Sequence, residues 1–424
     1  MISLTGMPSS TWFAAVGATA LFSLSVTAPI AHAAPLACGQ TITTSVVLAA
    51  DLLNCPGDGL VVGRRGITID LNGHTVDGVG LGTGIRTNGF DNTTITNGGG
   101  GRAVIQEFDY GVQLTPGTSG TLVKLLTIQN NELSGVELDN ADNSNHVVDN
   151  VIQRQSQRGI TVIGGSSGNV ISTNTITANQ SEGVYVQNST ANRLEDNQIT
   201  DSGDGGLLLE GADGNTLLGN TVARSSDSAV VLQAGSDNNL VQGNTVSEGN
   251  DAAVKVSHST GNRLLSNHLQ GSGDSGIFLQ FSHGSTITGN DVSANTSGIE
   301  LNHSDDNLIR SNLANNTTGD GIVLEDSIDN DLELNRTNGN SARGISVSGD
   351  APAGQGNRLL RNTADANLGD GIYVSKTVHT LQGNTTRDND GWGILVDQGN
   401  TDGGANRASG NSEAAQCMGV VCTP

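Results

Sequence analysis

The sequence predicts an all-β chain: a right-handed parallel β-helix solenoid of about fifteen coils of 22–27 residues. Three observations predict it. A small residue followed by alternating aliphatics recurs every 22–27 residues, Asn recurs at fixed places inside each repeat, and aromatics make up only 3% of the chain.

The first observation sets the strands. Anchors stand at Gly111, Gly135, Gly159, Gly183, Gly206, Ala229, Ala253, Gly276, Gly298, Gly321, Gly344, Gly371 and Gly393. Val, Ile or Leu follows each anchor, and Leu or Val comes two residues later, in all thirteen repeats. Alternating aliphatics over four or five residues describe a strand with one buried face. A second short strand follows as Asn-x-aliphatic, as in Asn192-Arg193-Leu194, and a third follows another Asn five residues on, as in Asn197-Gln198-Ile199. Three short strands per coil make a triangular solenoid. No repeat carries a ten-residue stripe of period 3.6, which excludes helical repeats, and the Leu spacing of leucine-rich repeats is missing.

The Asn positions have a physical reason. Coils stack at about 4.8 Å, so like residues form columns along the rod. A column of amides can satisfy its own donors and acceptors from coil to coil, where a buried amide without partners would cost about 1–3 kcal/mol. The anchor glycine is expected to supply a positive-φ turn before the strand.

The ends read differently. Residues 1–33 have the form of a signal peptide, with an apolar run over 13–30 and Ala31-His32-Ala33 as the cleavage site. Residues 34–58 are expected to cap the rod, 59–400 to form the repeats, and 401–424 to cap the other end. The four cysteines lie in two tight pairs near opposite ends. A long rod keeps those ends apart, so Cys38–Cys55 and Cys417–Cys422 are the expected disulfides. Export follows, to the outside or to a periplasmic or cell-envelope space. No stretch of the mature chain is long and apolar enough to span a bilayer, and a monomer is expected. A formal charge of −23 argues against nucleic acid as partner. It also disfavours direct binding of polyuronates unless a cation such as Ca²⁺ bridges the two.

Cys38-Gly39-Gln40-Thr41-Ile42-Thr43, Cys55-Pro56-Gly57 and Ile67 through Val76 (ITIDLNGHTV) resemble the opening of bacterial secreted β-helix proteins of the NosD-type and carbohydrate-binding/sugar-hydrolase repeat class, with the pectin-lyase-like fold. The repeats after Gly111 resemble the same class. The resemblance implies the fold, and a function among polysaccharide lyases, glycosidases, epimerases, a copper-site accessory protein and members with no assigned activity. The Asp-Pro-His motif of alginate epimerases is missing. Asp305-Asp306 and Asn400-Thr401-Asp402 echo polygalacturonase motifs, but in reversed order and without Gly-His-Gly or Arg-x-Lys. Soft copper ligands are scarce, since the mature chain holds one Met and its cysteines are best paired.

Columns two and four residues after each anchor are expected to face solvent. Across three adjacent coils lie Lys255 and His258, then Phe278 and Phe281, then Glu300 and His303, with His283 nearby. Lys255, His258, Glu300 and His303 are the candidate catalytic set: a cation, bases and an acid around an aromatic ring, as β-elimination of a uronate requires. Against this, Lys255 and Glu300 are two coils apart, about 9.6 Å, and a solvated strand face with histidines in turns explains them equally. Tyr185, Phe278 and Tyr373 are the candidate sugar-binding rings. Asp70, Asn72 and His74 alternate on one strand face, and Asp388-Asn389-Asp390-Gly391 is a fragment of a Ca²⁺ loop without its remaining ligands. Neither amounts to a metal site, and no cofactor is expected. The sequence therefore predicts an exported β-helix that is polysaccharide-associated or purely structural. The alternatives are a lyase, epimerase or hydrolase with an unrecognised site, and a NosD-like periplasmic metal accessory protein.

Overall fold

The computed structural model describes residues 36–141, 143–349, 352, 354–376 and 378–424. The expected signal peptide lies outside the described residues. From Gln40 to the C-terminus the described chain winds as a right-handed parallel β-helix with three faces. The first face is a 17-stranded sheet, the second a 16-stranded one, and the third is divided between sheets of nine and four strands. Every strand pairing is parallel and joins neighbouring coils, as Leu207–Glu210 joins Val230–Gln233. The third face thins to single bridges through Asp291, Leu313 and Arg336 before regular pairing resumes at Thr363.

The aliphatic columns fill the interior. Val184, Leu207 and Val230 on the first face, Leu194, Leu217 and Val241 on the second, and Ile199, Val222 and Val246 on the third are all fully buried. Each such side chain contributes about 1.5–3 kcal/mol by leaving water.

Asn side chains run up the corners as predicted, and their bonds follow one scheme. Asn220 Oδ1 accepts from the backbone N–H and the Nδ2 of Asn197, while Asn220 Nδ2 donates to Leu194 O and to Asn244 Oδ1. The column beginning at Asn145 repeats it; His379 Nδ1 takes the place of the Asn acceptor in one coil, and at Ser285 only the backbone N–H continues the column, donating to Asn307 Oδ1. A third polar column runs through Asn131, Gln155 and Asn179, passes through serines, and resumes at Asn295, Asn340, Asn367, Asn389 and Asn411. Gln416 closes it: its Oε1 accepts from Asn411 N–H and Nδ2, and its Nε2 donates to Asn411 O and Glu413 O. Varying residue type hid this third column in the sequence.

Two expectations change in detail. The anchor glycines are not in positive-φ turns. They lie on buried strand backbone, where a Cβ at Gly159 would come within 2.5 Å of Gly183 O and one at Gly276 within 2.8 Å of Gly298 O. Glycine, or alanine at 229 and 253, stands there because the stacked backbones leave little room for a side chain, and the Ala229 and Ala253 methyls are fully buried. The left-handed residues sit instead at the corners, among them Asn188, His258, Phe281 and His303. The segments expected as caps also continue the winding: Gln40–Ile42 pairs with Leu60–Val62, Val46–Val47 with Ile69–Asp70, and Cys417–Met418 with Ile394–Leu395. Cys38–Cys55 and Cys417–Cys422 are both closed, with Cα atoms 5.3 and 6.1 Å apart.

Candidate functional site

The outer side of the first face carries the site candidates. Its hydrogen-bonded register places Tyr185, Lys255, Phe278, Glu300 and Tyr373 in one column along the rod. The column is less open than the sequence suggests. Tyr185 is 6% exposed and Glu137 is 6% exposed. Side chains one strand spacing apart lean on one another and cover each other's faces.

The expected catalytic set falls into two groups. Lys255, Phe278 and Glu300 are successive on the strand face: Lys255 Nζ lies 3.4 Å from Asp251 and 5.9 Å from the Phe278 ring centre, and Glu300 accepts from Ser275 Oγ at 2.9 Å. His258 and His303 stand at the following corner with Phe281 between them, each ring centre 5.0 Å from that of Phe281. His258 Nδ1 contacts Ser257 Oγ, and His303 Nδ1 contacts Asn302 Oδ1. The histidines therefore form an aromatic stack with Phe281 at the corner, and the strand-face group stands apart from it. Burial pushes the Glu300 carboxyl up, and the nearby charges of Asp274 and Glu325 push the same way against the Ser275 hydrogen bond.

The most built part of the face was not singled out in the sequence. A cleft of about 280 Å³ is lined by Tyr110, Ser134, Glu137, Arg158, Thr161 and Tyr185 among others. Arg158 Cζ lies over the Tyr185 ring, 4.0 Å from its centre, and its Nε donates to Glu182 at 2.8 Å. The Tyr185 hydroxyl donates to Glu210 at 2.6 Å, and Ser134 and Thr161 hydroxyls pair at 2.7 Å. Glu137 accepts from Gln113 Nε2 at 2.8 Å. Burial raises its pKa, and Asp139 adds to the rise, against the pull of Gln113 and Arg158. Burial and the acids Glu137, Asp109 and Asp139 raise Tyr110. Burial alone would raise Glu182, but the hydrogen bonds from Ser181 and Arg158 hold it low. Tyr185 is raised by burial and by its bond to Glu210. Tyr110, Arg158 and Glu182 stand one residue before their anchors, a column that reading two and four residues after the anchor does not sample.

Tyr373 has the same arrangement as Tyr185. The Arg343 guanidinium lies 4.1 Å above its ring centre, 3.7 Å from Asp370. Burial raises Asp320, one coil back, against the hydrogen bond from the Arg343 backbone N–H.

The sequence's metal fragments serve the backbone instead. Asp70 Oδ1 accepts from Asn72 and Gly98 N–H, Asn72 Nδ2 donates to Leu48 O, and His74 Nδ1 contacts Asp51. Asn389, within the Ca²⁺-loop fragment, is a buried column residue bonded to Ala364 O and Asn411. Asn400 bonds His379 N–H as the end of its own column, and Asp402 holds Val421 N–H.

A polar, three-faced parallel β-helix with a cation-over-aromatic cleft on one face is the class of protein that these features define. The chain belongs to the NosD family, described as periplasmic copper-binding protein (NosD), whose profile matches residues 65–241, 203–290, 221–377 and 273–412. No curated protein matches the chain. Among solved structures it is similar to the A-module of the mannuronan C-5 epimerase AlgE4 from Azotobacter vinelandii, at 13% identity, with 74% of this chain and 88% of that one covered and a TM-score of 0.45. It is similar to the periplasmic alginate epimerase AlgG at 14% identity, 71% and 73% coverage and a TM-score of 0.44. It is also similar to a lidless DFA-IIIase from Arthrobacter chlorophenolicus A6 in complex with GF2, at 13% identity, 69% and 83% coverage and a TM-score of 0.47. These are likenesses of fold.

Copper does not fit the donors present. All four thiols are in disulfides, and the described residues hold no group of three or more His, Cys, Asp or Glu placed to bind a metal ion. His258 and His303 are separated by the Phe281 ring. Among the described residues no helix is long and apolar enough to cross a membrane.

Proposed function

We propose that this NosD-family chain is an exported polysaccharide-binding protein, and that the first face of the β-helix is where the glycan lies. The observation that carries this reading is the cleft at Arg158. A cation is held over a Tyr ring, fixed by Glu182 and bordered by Tyr110, Ser134 and Thr161 hydroxyls and a buried carboxyl. Sugars need just such a mix, an apolar or delocalised plane beside converging donors and acceptors. The two disulfides and the signal-like N-terminus support a periplasmic or external location.

A second reading is favoured by one feature. Glu137, with its pKa raised by burial, shares the cleft with Tyr110 and Arg158. An acid–base pair beside a cation is the minimum that elimination or epimerisation at a uronate carbon requires.

A glycan array run with and without Ca²⁺ tests the binding reading. Replacing Arg158→Ala together with Glu182→Gln removes the cation without leaving a buried charge unpaired. The reading expects array signals that this variant loses at an unchanged melting temperature. No glycan bound by the parent protein would overturn it. Unsaturated products appearing from any bound glycan, and disappearing in Glu137→Gln, would establish the enzymatic reading instead.

A further inference from the structure

Three cations on the first face lie over aromatic rings: Arg158 over Tyr185 at 4.0 Å, Lys255 over Phe278 at 5.9 Å and Arg343 over Tyr373 at 4.1 Å. The strand register shows how they are spaced. From Tyr185 the column steps through Leu208, Val231 and Lys255 to Phe278, four coils on. From Phe278 it steps through Glu300, Val323 and Ser346 to Tyr373, again four coils on. Equal intervals of four coils are about 19 Å each, from the strand spacing. The outer two units draw the cation from the residue before the anchor and the central one from the strand itself, so the spacing is not a by-product of one repeated motif.

We propose that these are three equivalent subsites, and that together they seat one linear, 1,4-linked amino-sugar polysaccharide running parallel to the rod. The proposal rests on the binding reading above and deepens it. A 1,4-linked hexose advances by close to one strand spacing per residue, so every fourth sugar meets a cation–ring unit while those between lie over Leu208, Val231 and Lys255 in the first interval and over Glu300, Val323 and Ser346 in the second. The charge selects the class of sugar. Each cation is already engaged by an acid: Arg158 by Glu182, Lys255 by Asp251 and Arg343 by Asp370. None is left to neutralise a uronate. Further carboxyls border each unit, namely Glu137 and Glu210 at the first, Asp274 and Glu300 at the second and Asp320 at the third, and these suit ammonium groups. Burial and the charges of neighbouring acids raise Glu137, Asp274 and Glu300, which a nearby ammonium would relieve.

Isothermal titration with β-1,4-linked glucosamine oligomers tests it. A tetramer should bind three per chain. A decamer, long enough to span about nine sugars between the outer rings, should bind one per chain and at least about 100-fold more tightly by linkage of the subsites. Phe278→Ala should reduce the tetramer count from three to two and weaken the decamer at least tenfold. Glu300→Gln, which removes a carboxyl of the central unit, should do the same and serves if circular dichroism shows Phe278→Ala to be misfolded. Oligogalacturonate of equal length should bind far more weakly in the absence of Ca²⁺. One tetramer per chain, a decamer no tighter than the tetramer, or a preference for oligogalacturonate would overturn the proposal while leaving a single-site glycan reading intact. A parent protein that binds no glycan on the array or in the calorimeter would overturn both.

Discussion

Asn220→Ala in the middle of the rod puts the corner columns to the test. The side chain is fully buried and makes four hydrogen bonds. Its loss orphans two donors on Asn197, the backbone N–H and one Nδ2 hydrogen, and takes one donor from Leu194 O. Asn244 Oδ1 keeps the backbone N–H of residue 220 at 2.8 Å. Two orphaned buried donors at about 1–3 kcal/mol each give about 2–6 kcal/mol. A water entering the vacated space would re-pair one of them, which brings the expected loss to about 1–3 kcal/mol. Guanidinium unfolding followed by circular dichroism measures it, with Thr221→Ala on the exposed neighbouring position as the reference. Asn220→Asp separates the polar bonds from the shape. It keeps an acceptor but buries a charge in place of the donor, so it should be worse than Ala at neutral pH and recover partly in acid. A shift for Asn220→Ala below about 0.5 kcal/mol, the size of an ordinary surface change, would show that the columns do not hold the coils together.

Three further outcomes follow from the same structure. His379 is buried in an Asn column with Nδ1 accepting from Asn357 N–H and Nε2 unpartnered, and burial lowers its pKa from 6.5. The unfolded chain then binds the proton that the folded chain refuses, so stability should fall as pH drops below 6.5 towards the folded value. His379→Asn should remove that part of the loss, with parent and variant diverging in melting temperature only on the acid side. Gly276→Ala would set its Cβ 2.8 Å from Gly298 O and 2.7 Å from Val292 Cβ, and should cost about 1–3 kcal/mol in unfolding experiments. Intact mass before and after alkylation should show no free thiol. Replacing Cys38 and Cys55 by Ser should cost about 3 kcal/mol, more than the same change at Cys417 and Cys422, because the first pair closes the longer loop.

The fold was legible because a solenoid writes the same physics into every turn. Thirteen anchors followed by paired aliphatics leave one register, and Asn at two corners can be read by eye. The third polar column was not legible, because Gln155, Ser202 and Thr317 stand where the pattern would have Asn and break the run of letters; Gln155 and Thr317 keep side-chain hydrogen bonds there, while the Ser202 hydroxyl makes none. The anchor glycines were seen but misassigned, since a sequence cannot distinguish a glycine that needs positive φ from one that makes room for the next backbone. The first-face column was read correctly as far as Lys255, Phe278 and Glu300. Its exposure was overestimated, because the covering of Tyr185 by Arg158 depends on two long side chains from adjacent coils. The cleft at Arg158 and Glu137 stayed hidden for the same reason. Its named members lie in four coils and in two columns, and only stacking brings them together.

Hydroxyl-radical footprinting of the chain, alone and saturated with the glucosamine decamer, tests the account at its centre. Aromatic side chains report readily, and they lie on different faces of the rod. The first-face reading predicts protection of Phe278 and Tyr373 and of the Tyr110–Tyr185 cleft, with Phe281 at the neighbouring corner unchanged. Protection of Phe281 with Phe278 and Tyr373 left as reactive as in the free protein would place the glycan on the histidine corner and contradict it.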